Sequence, residues 1–361
     1  MDILDVQRAI WYGEKWKKSD PQSTSARYNL AGAYIHKNEY ERAENLLEQI
    51  LAVDSTHIPA LNQLARLYRR SDRYRDALTQ YEKLIQVDTT RGYYPRMAAE
   101  MAYLTAQFDR AFYYYQKSLK INSNDPSSLS GLARISIDAG AFDQADSLLS
   151  KALSADSTNF AIRLLYSKSA YLQENYALVD ELLNQDVLLE KKSTQGLQYL
   201  GLSRYYLGEY MGSMKVLTAL INLDSELHYP HYYIGLCYLA LGEKEYAEVQ
   251  FRQAVNKSLS PNLPIYYEQL GLTQQELDNH QSAIDNLIMA KKLGSDIELN
   301  FHLGVSYDAY FEDKEVALRS YSAYLRDVQE LDSLTENSRT RHAKARIDEI
   351  NRKKHFETGD D

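Results

Sequence analysis

The chain has 361 residues, 44% of them hydrophobic, a formal net charge of −9 and a single cysteine. An acidic chain lacks the basic footprint that phosphate neutralisation needs, which argues against nucleic acid as a partner. One cysteine excludes an intramolecular disulfide and a cysteine metal site, and no stretch is apolar enough to span a membrane.

Residues 3–19 read as a single helix carrying Ala9 and ending at Asp20-Pro21, and from Ala9 onward a small residue returns every 34 residues. The series is Ala9, Ala43, Ala77, Ala111, Ala145, Val179, Ser213 and Ala247, then one interval of 36 to Ala283 and 34 again to Ala317. A fixed period of this size marks a stacked repeat array in which each unit contacts its neighbours. A second ladder keeps the same phase: Leu30-Ala31, Leu64-Ala65, Ala98-Ala99, Leu132-Ala133, Tyr166-Ser167, Leu200-Gly201, Ile234-Gly235 and Leu270-Gly271, with Leu303-Gly304 one residue early. Bulky residues such as Leu47, Tyr81, Tyr115, Leu149, Leu217 and Phe251 follow the small residue by four. Small residues let two helix backbones approach while the large ones interdigitate, so each repeat predicts two antiparallel helices.

In chain order the elements are an N-terminal half-repeat (1–23), repeats one to seven (24–259) and repeats eight and nine (260–334). The last two follow the insertion Ser260-Pro261-Asn262-Leu263-Pro264, the best candidate for a bend. Asp54-Ser55, Asp88-Thr89, Asn124-Asp125-Pro126, Asp156-Ser157 and Asp224-Ser225 read as helix stops and N-caps. Pro59, Pro95, Pro126, Pro230 and Pro264 fall in first turns, where no amide donor is lost. Residues 335–356 place Ala343, Ile347 and Ile350 among seven basic side chains and read as a capping helix, with a basic contact to an anionic partner as the alternative. Residues 357–361 read as a disordered tail.

These residues resemble the tetratricopeptide repeat family, best in 228–261, with Ile234-Gly235, Tyr238, Gly242, Ala247, Phe251 and Ala254. The resemblance covers about residues 3–330 and implies an all-α fold. It would be a right-handed superhelical solenoid of about nine helix pairs, with the N-terminal half-repeat and the C-terminal cap. Ala102, Ser136, Ala170, Arg204 and Gln274 stand where the family prefers an aromatic, and Val179, Ser213 and Asp186 replace small residues. Repeats five and six are therefore the least typical.

In this family the first helix of each pair lines a concave face. Counting from the alanine ladder, the resemblance places Asn62, Arg66, Arg69, Arg70, Arg96, Arg134 and Lys168 on its N-terminal half. Tyr199, Tyr205, Tyr206, Tyr229, Tyr232 and Tyr233 fall on its C-terminal half, with Tyr93, Tyr103 and Tyr171 between and Glu268, Gln269, Gln275 and Glu276 beyond. Arginine supplies bidentate contacts to carboxylates, and tyrosine supplies rigid amphipathic area. The plainer alternative is that many of the 31 tyrosines pack on the neighbouring repeat. The carboxylate clamp of one family subset is not reproduced, since Tyr28 and Gly32 stand at its lysine and first asparagine positions.

No phosphate loop, nucleophile elbow or zinc motif is present. His228 and His231 lack an obvious third ligand, Cys237 reads as a core thiol, and no cofactor, metal or catalytic residue is expected. The expected function is a non-enzymatic scaffold for a protein or peptide partner with an acidic or aromatic segment, within a larger complex. A peptide-sensing regulator and a non-catalytic subunit of an enzyme or of a secretion or envelope complex remain open. Compartment also stays open: cytoplasmic if the chain is complete, periplasmic or cell-envelope if a leader preceded Asp2.

Overall fold

The computed structural model describes residues 3–183, 185–258, 261–294, 298–330 and 337–358, and every regular element among them is an α-helix. The chain divides into two compact units, Met1–Gln173 and Glu174–Asp361. The division falls in the turn of the fifth repeat.

The first unit opens with α1 (Ile3–Ser19). Four helix pairs follow: α2 (Thr24–His36) with α3 (Tyr40–Val53), α4 (Ile58–Arg70) with α5 (Tyr74–Val87), α6 (Tyr93–Leu104) with α7 (Phe108–Ile121), and α8 (Pro126–Asp138) with α9 (Phe142–Ala155). The unit closes with α10 (Phe160–Leu172). First helices other than α6 start here at side-chain caps: Ser23 Oγ accepts from the Ala26 amide at 3.2 Å and Asp125 Oδ2 from the Ser128 amide at 2.9 Å. Three of these second helices, α3, α5 and α9, stop at an aspartate that folds onto a threonine two residues on, as Asp54 does with Thr56 and Asp88 with Thr90. These threonine bonds hold both carboxyls below their ordinary range.

The second unit begins with the fifth repeat's second helix, which is split. Its α11 (Tyr176–Leu182) ends at an extended Leu183, and α12 (Gln185–Glu190) follows. Three further pairs are α13 (Thr194–Tyr206) with α14 (Tyr210–Leu223), α15 (Tyr229–Ala240) with α16 (Lys244–Lys257), and α17 (Leu263–Glu276) with α18 (His280–Leu293). The last pair is α19 (Glu298–Tyr310) with α20 (Glu315–Glu330), and α21 (Ser338–Thr358) packs on α20. Ala343 of α21 is fully buried against the cluster of Phe301, Tyr321 and Tyr324. Arg346 donates to both Asp308 carboxylate oxygens, at 2.7 and 2.9 Å, and Lys354 and Arg339 pair with Glu315 and Glu298. The basic character of this helix is thus partly spent on the last repeat.

From the first pair to the eighth, the turn inside the pair is one device repeated. Asn38, Asp72, Ala106, Gly140, Glu174, Gly208, Gly242 and Asp278 all have φ between 56° and 81°. In seven of these turns the next amide reaches back five residues, as Glu39 N does to the Tyr34 carbonyl at 2.9 Å. This is the left-handed helix stop that glycine fills without strain.

From Ala43 to Ala317, every rung of the small-residue ladder is 0% exposed. In repeats six to nine the first-helix residue opposite the bulky side chain that follows the rung by four is glycine, which leaves room for that side chain. A Cβ built on Gly201, Gly235, Gly271 or Gly304 would stand 2.6–2.8 Å from Leu217, Phe251, Leu287 or Tyr321. Gly131 plays the same role between repeats, under the ring of Tyr115.

Two outcomes follow. Gly235→Ala forces the buried Phe251 ring aside and lowers stability by about 1–3 kcal/mol, read as a fall in Tm. Ala106→Gly relieves a left-handed alanine and raises stability by about 1 kcal/mol in the same assay.

Candidate partner-binding face

Within the first unit, the cationic side chains expected from the register come from first helices and lie close together. Arg66, Arg69 and Arg70 of α4 line a cavity of about 440 Å³ with Gly32, Ile35 and His36 of α2. Arg134 of α8 lines a second, of about 310 Å³, with Glu100 and Tyr103 of α6 and Ile162 and Leu165 of α10. Arg66 makes no hydrogen bond or ion pair among the described residues, and Arg70 lies 3.5 Å from Asn38 Oδ1 and 5.9 Å from the centroid of the Tyr40 ring. Arg96 lies 3.7 Å from Asp125 and 5.4 Å from the centroid of the Tyr93 ring. Asn62 is half-buried, with its Oδ1 enclosed and unbonded.

Two acids sit inside this stripe. Glu100 is surrounded by Arg96, Arg69 and Arg134, which favour its charge, yet burial dominates and holds its carboxyl above the ordinary range. Asp138 accepts from the Tyr103 hydroxyl at 2.6 Å and lies 3.7 Å from Lys168 Nζ. Burial and that bond push Tyr103 up to about 12, while Arg134 lies 5.5 Å over its ring. Both acids occupy positions of the same register, 34 residues after Arg66 and Leu104. Counting the ladder would have found them; attending only to cations and tyrosines missed them. Tyr171 is half-buried on α10.

In the second unit Tyr205, Tyr206, Tyr232 and Tyr233 form one aromatic network. Tyr206 stacks on Tyr176 at 4.6 Å, and Tyr205 meets Tyr233 edge-on at 5.3 Å. Tyr232 stacks on Tyr266 at 4.8 Å. The Tyr206 and Tyr233 hydroxyls are 3.3 Å apart, and Gln195 donates to the Tyr199 hydroxyl at 3.0 Å. Tyr206 is 46% exposed, while Tyr199, Tyr205, Tyr229, Tyr232 and Tyr233 are half-buried. Most of the bank therefore spends ring area on a neighbouring helix: Tyr232 meets Tyr266 at the matching position of the next first helix, whereas Tyr206 stacks on Tyr176 of α11. Farther along, Gln275 donates to the Ser306 hydroxyl at 2.6 Å, and Glu276 pairs with Lys244 at 3.1 Å.

The two histidines are committed to different helices. His228 Nδ1 lies 2.8 Å from the Tyr266 hydroxyl and His231 Nδ1 lies 2.9 Å from Gln250 Oε1. Burial holds His228 below its ordinary range. Cys237 is fully buried, and burial pushes its thiol up. Among the described residues no cluster of three or more His, Cys, Asp or Glu could hold a metal ion, and no helix is long and apolar enough to cross a membrane.

The raised carboxyl of Glu100 has a definite sign. Its charge is disfavoured by folding, so this group's penalty is absent below the unfolded glutamate pKa, near 4.3, and grows as pH rises through the higher folded value. Glu100→Gln therefore raises Tm at pH 7 and leaves it unchanged near pH 4, measured by thermal unfolding at both.

A family model described as anaphase-promoting complex, cyclosome, subunit 3 matches residues 3–84. Two tetratricopeptide repeat models match residues 62–126 and 104–168. No curated protein matches the sequence. Among solved structures, a tetratricopeptide repeat protein from Parabacteroides merdae ATCC 43184 is 15% identical, with 79% of this chain and 99% of that chain covered and a TM-score of 0.39. A human IFIT1 dimer with PPP-AAAA is 16% identical, with 99% and 88% covered and a TM-score of 0.38. With family models matching residues 3–168 between them, and the same helix pair and small-residue rung recurring in both units, the chain carries tetratricopeptide repeats.

Proposed function

We propose that this chain is a non-enzymatic scaffold that holds an acidic peptide segment of a partner protein on the first-helix face of its first unit, as part of a larger complex. Tetratricopeptide repeats generally mediate protein–protein interaction, and the fold is typically non-catalytic. The observation that carries the finer reading is the arginine stripe: Arg66, Arg69, Arg70, Arg96 and Arg134 gather on one face of a chain whose net charge is −9. Arginines left with few internal carboxylates are free to make bidentate, charge-assisted bonds to acidic side chains. Asn62, Tyr103, Lys168 and Tyr171 border the same helices and would extend the contact. The half-buried tyrosines of the second unit supply aromatic area, with Tyr206 the most available.

Reversing Arg66, Arg69, Arg70 and Arg134 to Glu tests this. Each charge-assisted bond contributes about 1.5–3 kcal/mol, so partners recovered by the wild-type chain in a pull-down should fall at least tenfold with the variant. The variant should keep its helical circular dichroism. Unchanged partners and affinities would remove this face from the function.

A further inference from the structure

The cavity walled by α6, α8 and α10 brings together polar groups that the chain itself leaves without hydrogen bonds. Glu100 and Arg134 both line it but do not pair with each other, and neither makes a hydrogen bond or ion pair among the described residues. The third group is Tyr115 of α7, which lines the same cavity and is only 4% exposed. Its ring occupies the space that Gly131 leaves on α8. Its hydroxyl makes no hydrogen bond among the described residues, and the charges of Glu100, Arg134 and Arg96 act on it. Leu104, Ile162 and Leu165 supply an apolar wall. Polar groups this enclosed are costly unless something completes their hydrogen bonds.

Charge and hydrogen-bond type together narrow what that ligand is. A cation facing Glu100 would also face Arg69, Arg96 and Arg134. A carboxylate reaching Arg134 would meet Glu100 in the same cavity. A neutral group escapes both penalties, provided it donates to Glu100 and accepts from Arg134. A primary carboxamide does so from two separate atoms, its NH2 and its C=O, whereas a hydroxyl must serve both from one oxygen. An apolar side chain would leave all three groups unsatisfied.

We propose that this cavity is a recognition pocket for an asparagine or glutamine side chain carried by the acidic segment. The carboxamide nitrogen donates to Glu100, and its oxygen accepts from Arg134 and from the Tyr115 hydroxyl. This rests on the reading of the first-helix face as the seat of an acidic segment, and it adds one neutral position to that segment. The flanking acids meet the exposed arginines, while Glu100 turns away the isosteric glutamate or aspartate at the pocket itself. Burial pushes the Tyr115 hydroxyl up, so it stays protonated and able to donate.

The probe is a set of fluorescein-labelled nonapeptides of Asp and Glu with one central guest residue, titrated with the full chain and read by anisotropy. Guests of Gln or Asn should bind about tenfold more tightly than guests of Glu or Leu. The ratio between guests reads the pocket, because Glu100→Gln removes a negative charge and strengthens every acidic peptide. In Glu100→Gln the Glu guest should match the Gln guest. Tyr115→Phe keeps the ring over Gly131 and should weaken the Gln guest alone, by about threefold.

Equal binding of all guests to the wild-type chain, still abolished by reversing Arg66, Arg69 and Arg70 to Glu, would overturn the pocket and leave the acidic seat standing. A preference for Gln that survives Glu100→Gln would overturn it as well. Peptide binding that is absent, or indifferent to those arginines, would remove the acidic seat and the pocket with it.

Discussion

The structure depends on one contact repeated along the chain: a small side chain on the second helix of a pair held where the first helix comes too close for anything larger. In the sixth to ninth repeats a Cβ on the first-helix glycine would stand within 3 Å of the bulky second-helix side chain four residues after the rung, so the glycine makes room for that side chain. Interiors packed at this density have no slack to absorb an added methyl. Every other feature inherits its position from this contact, because it sets which residues of a first helix face the core and which face outward. It also explains why a period survives while most of the sequence drifts. Only the rungs and the left-handed turn residue are sterically constrained, and even the turn accepts Asn, Asp, Ala or Glu at moderate cost.

A second layer of interactions ties repeat to repeat through polar pairs rather than shape. Tyr68 donates to Glu44 at 2.8 Å, Arg204 to Asp180 at 2.6 Å, and Gln274 to Glu248 at 3.0 Å. Arg204 and Gln274 are two of the positions where the family prefers an aromatic. Their departure has a physical reason: each exchanges an aromatic contact for a bond to an acid on the preceding second helix. Burial and the Glu44 bond also raise the Tyr68 hydroxyl well above its ordinary range, so the neutral tyrosine persists as the donor across the physiological range. The bidentate Arg346–Asp308 pair extends the same logic to the last helix, where Asp308 is largely enclosed.

The placement of the first-helix arginines was legible from register alone. Arg69, Arg96 and Arg134 are far apart in sequence, yet counting from the alanine ladder places them on neighbouring first helices, and all three act on Glu100. The count could not weigh burial against charge. Glu100 and Asp138 are as regular in register as the arginines, but their importance comes from desolvation and from a tyrosine 35 residues away, neither of which is local. The tyrosine bank illustrates the same limit. Its members fall at the expected places, but whether a ring faces solvent or the next ring depends on side-chain packing between repeats.

The sequence by itself determined the helix pair, its phase, the turns and the identity of the rungs, because each rests on local chemistry: periodicity, caps, proline placement and steric size. Tertiary structure decided the rest. It split the second helix of the fifth repeat at Leu183 and turned most of the tyrosines onto one another. Those outcomes depend on which surfaces meet across repeats, and free energies of burial belong to the pair of surfaces rather than to either segment.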